Sequence, residues 1–116
     1  MVHRKKGKKL GRKIGPRKAL ARGLILSLIL HNKIKTTFAK TKFIQPKVER
    51  IIVLAKKKTL ASRRLTHDLV INEKAEKKVI KELVPKYKDR KSGFTRILRL
   101  GKRKGDAAEM AQIELV

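Results

Sequence analysis

Residues 94–116 read FTRILRLGKRKGDAAEMAQIELV, and this stretch decides the fold class. Phe94 to Leu100 reads as a strand, and Glu109 to Val116 alternates, with Ala111, Ile113 and Leu115 on one apolar face. A period of two marks a half-buried strand. Between them lies Gly101-Lys102-Arg103-Lys104-Gly105-Asp106, a basic turn with a glycine near each end. Two strands flanking such a turn most simply form an antiparallel hairpin. Upstream, Lys33 to Phe38 alternates in the same way, with Ile34, Thr36 and Phe38 facing one side and Lys35 and Thr37 the other. It is the candidate third strand.

The intervening sequence is helical in pattern. Arg17 to His31 is dense in Ala, Leu and Ile, and its apolar residues surround the axis between Leu24 and Leu30, which predicts burial on most sides. Pro16 suits a first helical turn, and Asn32 tolerates the left-handed geometry that stops a helix. A second helix is expected from about Ala39 to Lys56, with Phe43, Ile44, Val48, Ile51, Ile52 and Ala55 near helical spacing. Pro46 should kink it or mark its true beginning. Thr59 or Ser62 is the expected cap of a third helix carrying Leu60, Leu65 and Leu69. Asn72 should cap a fourth, with Glu73 and Glu76 in its first turn and Val79, Ile80 and Leu83 on one face. Pro85 should end it, leaving residues 85–93 as a basic loop. The sum is an α+β fold, about four helices packed on a small three-stranded sheet over residues 16–116.

Charge is unevenly placed. The chain of 116 residues has 34 Lys+Arg against 9 Asp+Glu, a formal net charge of +25, and the first acidic residue is Glu49. Such self-repulsion in a small fold points to a polyanion, nucleic acid before an anionic membrane. Residues 1–15 contain Arg4, Lys5, Lys6, Lys8, Lys9, Arg12 and Lys13, punctuated by Gly7, Gly11 and Gly15. A like-charged block of this kind does not fold alone, and it is expected to form an extended basic arm that orders on its partner.

Other composition narrows the chemistry. Hydrophobic residues make up 41%, too many for a disordered tail, while aromatics are 3%, too few for stacking platforms to dominate binding. The expected contact is Lys and Arg to phosphate. The candidate residues are His3, Arg4, Lys5, Lys6, Lys8, Lys9, Arg12 and Lys13 in the arm; Arg17, Lys18 and Arg22 after it; Lys35; Arg63 and Arg64; and Arg96, Arg99, Lys102, Arg103 and Lys104 in the hairpin. For Arg63 and Arg64 a surface ion pair with Asp68 or Glu73 is an equally good reading. Lys56-Lys57-Lys58 is a further, unspecific basic connector.

No cofactor, metal or small-molecule substrate is expected. The absence of cysteine excludes disulfides, zinc ribbons and thiol catalysis. His3, His31 and His67 lack ligand spacing, and Gly101-Lys-Arg-Lys-Gly lacks the ending of a phosphate-binding loop. The longest apolar run, Leu24 to Leu30, falls far short of the roughly 20 residues that span a bilayer, and no cleavable leader is expected. A nucleoid-type DNA-binding protein would need a dimer, a groove-reading helix or an intercalating wedge. A membrane-surface protein would need a cationic helix with a continuous apolar face. Neither pattern is visible.

The ordered motifs along the chain resemble one family. His3-Arg4-Lys5, Gly7 and Lys9-Leu10-Gly11-Arg12 look like the opening of the bacterial large-subunit ribosomal protein family numbered seventeen. His31 with Ile34, Thr36, Thr37, Ala39 and Lys40 is similar to its next signature, and Ser62-Arg63-Arg64-Leu65 to a third. Gly93-Phe94-Thr95-Arg96-Ile97-Leu98, Gly105-Asp106 and Met110-Ala111-Gln112-Ile113-Glu114-Leu115 resemble its C-terminal part. The chain departs from that pattern at Pro16, Asn32 and Pro46. The resemblance implies a cytoplasmic, non-enzymatic constituent of the large ribosomal subunit that supports translation and subunit assembly. It implies contacts with 23S ribosomal RNA and neighbouring ribosomal proteins on the solvent side, near the peptide exit tunnel, with neither a membrane nor a second copy as partner.

Overall fold

The computed structural model describes residues 10–116. In chain order it has α1 (Ile14–His31), β1 (Lys33–Thr37), α2 (Phe38–Lys56), α3 (Leu60–Val70), a fourth helix α4, β2 (Thr95–Lys102) and β3 (Glu109–Leu115). Helix α4 opens as Glu73–Lys78, widens into a π-helical turn at Val79–Leu83 and closes as Val84–Lys86. The sheet order is β1-β3-β2, antiparallel throughout, so the second hairpin strand is central. This is the α+β architecture expected from the alternating segments.

Local chemistry sets the helix limits. Asn32 adopts φ 66° and its N–H donates to the Leu28 carbonyl at 2.8 Å, ending α1 where expected. Lys78 reinforces that end, its ammonium donating to the Leu30 carbonyl at 3.1 Å and to Asn32 Oδ1 at 2.8 Å, a cation on the negative end of the helix. Thr59 and Ser62 both serve α3, in a reciprocal capping box. Asn72 Oδ1 accepts the Ala75 N–H at 3.0 Å and opens α4.

Several details differ from the sequence pattern. Helix α1 begins at Ile14, two residues ahead of Pro16, so residues 14 and 15 are helical. Pro46 lies within α2, on its exposed side, and marks no boundary. Pro85 does not end α4: the wider turn at Val79–Leu83 relieves the clash a proline ring makes with the carbonyl four residues earlier. The helix therefore reaches Lys86 and delivers Tyr87 into the core, where its ring lies 5.1 Å from that of Phe94 and its hydroxyl donates to the Val116 carbonyl at 2.8 Å. Finally, Leu60 and Leu65 of α3 are exposed, while Ser62, Thr66 and Val70 are buried. Thr66 satisfies its hydroxyl by donating to the Ser62 carbonyl at 2.9 Å, so a face of small hydroxyl residues packs inward without an unpaired polar atom.

The core lies between one sheet face and the helices. Ile34, Ile113 and Ile97 form a row across the three strands. They join a cluster with Ile25, Leu28 and Ile29 of α1, Ile44, Val48, Ile51 and Ile52 of α2, Val79 and Leu83 of α4, and Phe94. Ile80, grouped with Val79 and Leu83 by its spacing, is exposed instead.

Glu49 joins the helical and sheet layers. One carboxylate oxygen accepts the N–H groups of Phe94 and Thr95 at 3.1 and 3.2 Å and the Thr95 hydroxyl at 3.0 Å. The other accepts the Gly93 N–H at 3.2 Å. Gln45, one turn earlier on α2, donates to the Thr95 hydroxyl at 3.2 Å. Three backbone donors at the entry to β2, which no strand satisfies, thus converge on a single anion. We predict that Glu49→Ala lowers stability by about 3 kcal/mol, since hydrogen bonds to charged groups are the strong ones and their donors are left unpaired. Denaturant unfolding checks it, and a wild-type midpoint would refute the clamp.

Candidate nucleic-acid interface

The hairpin places its cations on different surfaces. On the outer sheet face, Lys33, Glu114 and Arg96 form one cross-strand row and Lys35, Gln112 and Leu98 the next. Arg96 donates to the Glu114 carboxylate through Nε at 2.8 Å and through a second guanidinium nitrogen. That hydrogen bond, with the charge of Arg96 behind it, holds the Glu114 carboxyl below its usual range. Arg96 is thus tied within the sheet but still exposed, and Lys35 beside it is exposed.

Arg99 lies in register with Ala111, on the helix-facing side. A bulge follows, where Gly101 takes φ 96°, a conformation suited to glycine. The Arg99 guanidinium stacks over the Phe38 ring, 4.3 Å from its centroid, at the start of α2. Arg99 and Lys102 line one small cavity together with Phe38, Gly101, Glu109 and Met110.

At the tip, Arg103 grips Asp106 through two guanidinium nitrogens, one from Nε at 3.1 Å. Asp106 also accepts the Ala108 N–H at 3.2 Å. Arg103 and this backbone donor together lower the Asp106 carboxyl to about 2. The turn is therefore organised internally by one cation, while Lys102 and Lys104 remain exposed without an ion pair among the described residues. Arg103, read from sequence as one of a uniform basic cluster, has this additional turn-forming role.

Arg63 and Arg64 are exposed on α3. Among the described residues neither forms an ion pair: Glu73 faces Lys77 at 3.9 Å, and Glu76 bonds His67 Nδ1 at 2.8 Å. Lys56 is drawn into the fold, donating to the Arg90 carbonyl and lying 5.3 Å from the Phe94 ring centroid. Arg12 donates to the Leu10 carbonyl at 2.7 Å, and Lys13 stands at the N-cap of α1. Arg17, Lys18 and Arg22 line one side of a groove of about 390 Å³, whose other side carries Lys47 and Arg50 of α2. Sequence reading missed Lys47 and Arg50, although both alternate with the apolar positions of α2 and so had to face outward. His3, Arg4, Lys5, Lys6, Lys8 and Lys9 lie outside the described residues.

Among the described residues no group of His, Asp and Glu is arranged to hold a metal ion, and no helix is long and apolar enough to cross a membrane. What the surface presents is cations on two faces and a projecting turn, the surface of a strongly basic α+β protein.

Comparison with known proteins agrees with that class. The family model for ribosomal protein L17 matches residues 20–116. The large ribosomal subunit protein bL17 of Thermomicrobium roseum is 46% identical over 116 residues, covering 100% of this chain and 99% of that protein. Its counterpart from Dictyoglomus thermophilum is 44% identical, with 100% of each chain covered. That of Zymomonas mobilis is 47% identical over 100% of this chain and 83% of the relative. The chain belongs to the ribosomal protein L17 family. It is accordingly a structural constituent of the large ribosomal subunit, cytoplasmic in bacteria and engaged in translation, and not an enzyme.

The tip ion pair has a defined acid response. A carboxylate with a lowered folded pKa stabilises the folded turn above its ordinary pKa, and that contribution is lost as pH falls through the folded value. The turn at Arg103–Ala108 should stay ordered at pH 4 and loosen as pH approaches about 2. Amide chemical shifts of Ala107 and Ala108 report it. Asp106→Asn should remove the transition, and a transition unchanged in that variant would contradict the assignment.

Proposed function

We propose that the protein binds and braces 23S ribosomal RNA near the peptide exit tunnel, as a single copy seated among neighbouring large-subunit proteins. The carrying observation is the separation of charge roles. Asp106 and Glu114 are occupied by Arg103 and Arg96, while Lys35, Arg63, Arg64, Lys102 and Lys104 are exposed with no ion pair among the described residues. Cations held at fixed positions without counter-charges match a fixed array of phosphates, and each contact made releases condensed counterions.

Within this reading, residues 1–15 act as the RNA-binding arm and residues 16–116 as the compact domain. His3, Arg4, Lys5, Lys6, Lys8, Lys9, Arg12 and Lys13 thread between RNA segments and screen their mutual repulsion. Arg17, Lys18, Arg22, Lys35, Arg63, Arg64, Arg96, Arg99, Lys102, Arg103 and Lys104 contact RNA from the folded domain. Arg99 does so with its guanidinium held over the Phe38 ring, and Lys102 and Lys104 flank a turn whose glycines admit close approach of a phosphate. Family membership and the net charge of +25 both support RNA as the partner.

Two measurements test it. Deleting residues 2–12, which leaves α1 intact, should flatten the salt dependence of binding to a 23S fragment by up to about 5 in log–log slope, for the six Lys and Arg removed. An unchanged slope would remove the arm from the interface. Lys102→Glu with Lys104→Glu should fold normally yet be excluded from assembled large subunits, scored by sucrose-gradient fractionation. Normal incorporation would take the hairpin tip out of the binding surface.

A further inference from the structure

The groove between α1 and α2 is separate from the hairpin. Residues Arg17, Lys18, Ala21, Arg22 and Ile25 recur at near-helical intervals along one face of α1. Phe43, Lys47, Arg50 and Ile51 do the same along α2, and Leu69 of α3 closes the far end. Ala21, Ile25 and Ile51 are buried and make an apolar floor. Five cations stand along the walls, and no carboxylate lines the groove. Lys47 is exposed and set over the Phe43 ring, 4.9 Å from the centroid.

Five like charges around a low-dielectric floor repel one another and focus a positive field. None of the five forms an ion pair among the described residues. The same helix serves the hairpin at its other end, where Phe38 supports Arg99. Phe38 and Lys47 are nine residues apart, about 14 Å along the axis. Helix α2 therefore holds two cationic sites at a fixed spacing, one at its N-terminal end and one along its middle.

We infer that the α1–α2 groove is a second site for RNA phosphodiester backbone, occupied by a different strand from the one on the hairpin, so that a single copy bridges two RNA segments. This rests on the RNA-binding reading above and adds to it that the two faces act at once. Chemistry favours a backbone over a free nucleotide, because the cations are spread along two helices rather than gathered at one point. Arg17, Arg22 and Arg50 offer planar, two-pronged donors to successive phosphates, and the apolar floor suits the sugar edge of a strand.

The test is a sandwich assay with the full chain. A biotin-tethered RNA stem-loop is loaded with limiting protein, washed at physiological ionic strength and offered a fluorescent single-stranded RNA. Wild type should retain the second RNA roughly in proportion to bound protein. Lys47→Glu with Arg50→Glu should lower that capture about tenfold or more while leaving attachment to the tethered RNA within about threefold, and Lys18→Glu with Arg22→Glu should lower the capture by as much. All four side chains but none of the floor are altered, and circular dichroism confirms folding. The charge-matched Lys88→Glu with Lys91→Glu, two exposed residues away from both sites, should capture like wild type. The bridge is overturned if wild type captures no second strand, if both groove variants capture normally, or if the control loses as much as they do. Wild type failing to bind the tethered RNA at all would instead sink the RNA-binding reading itself.

Discussion

Glu49 is the constraint on which the arrangement of layers depends. The sheet enters β2 through Gly93, Phe94 and Thr95, whose N–H groups and hydroxyl all turn toward one carboxylate on α2. With that entry anchored, Phe94 is buried against Tyr87 and Lys56, and β2 leaves in the right direction to pair with β3. Because β3 is central, its placement also sets β1, and the row Ile34, Ile113 and Ile97 comes down onto α1 and α2 as a unit. An anion does this better than a neutral acceptor, because it can take several donors on two oxygens.

The same logic explains how so basic a chain folds at all. Of its nine acidic residues, Glu49, Glu76, Asp106 and Glu114 each hold a specific geometry: a layer junction, a contact between α3 and α4, a turn and a cross-strand row. Some cations likewise serve the fold, as Lys78 does at the end of α1 and Lys56 above Phe94. Among the described residues, further positive charge lies outside the core on helical walls, the outer sheet face and the hairpin tip. Neutralisation by the proposed RNA partner would remove repulsion without disturbing any of these internal pairs.

Stacking acts here in an indirect way. With three Phe and one Tyr, the chain has few rings to offer a base. All four rings carry cations above them in this fold: Phe38 orients Arg99, Phe43 orients Lys47, Phe94 receives Lys56, and Tyr87 lies under Lys86. The aromatic residues thereby help to position charge.

By itself, the sequence determined the element types and most boundaries. The period-two runs at Lys33–Phe38 and Glu109–Val116 gave strands, and Asn32, Thr59 and Asn72 marked helix ends, because these signals act within a few residues through backbone geometry and short-range hydrogen bonds. The cationic candidates were equally legible, since charge is a property of the residue. Only the tertiary structure decided which cations are tied and which are free, because Arg96–Glu114 spans 18 residues and Glu49–Thr95 spans 46. It alone showed that α4 runs through Pro85 to bury Tyr87, that α3 turns Ser62 and Thr66 inward, and that Lys47 and Arg50 join Arg17, Lys18 and Arg22 around one groove. Those outcomes depend on which surfaces meet across distant parts of the chain, and no local pattern encodes that.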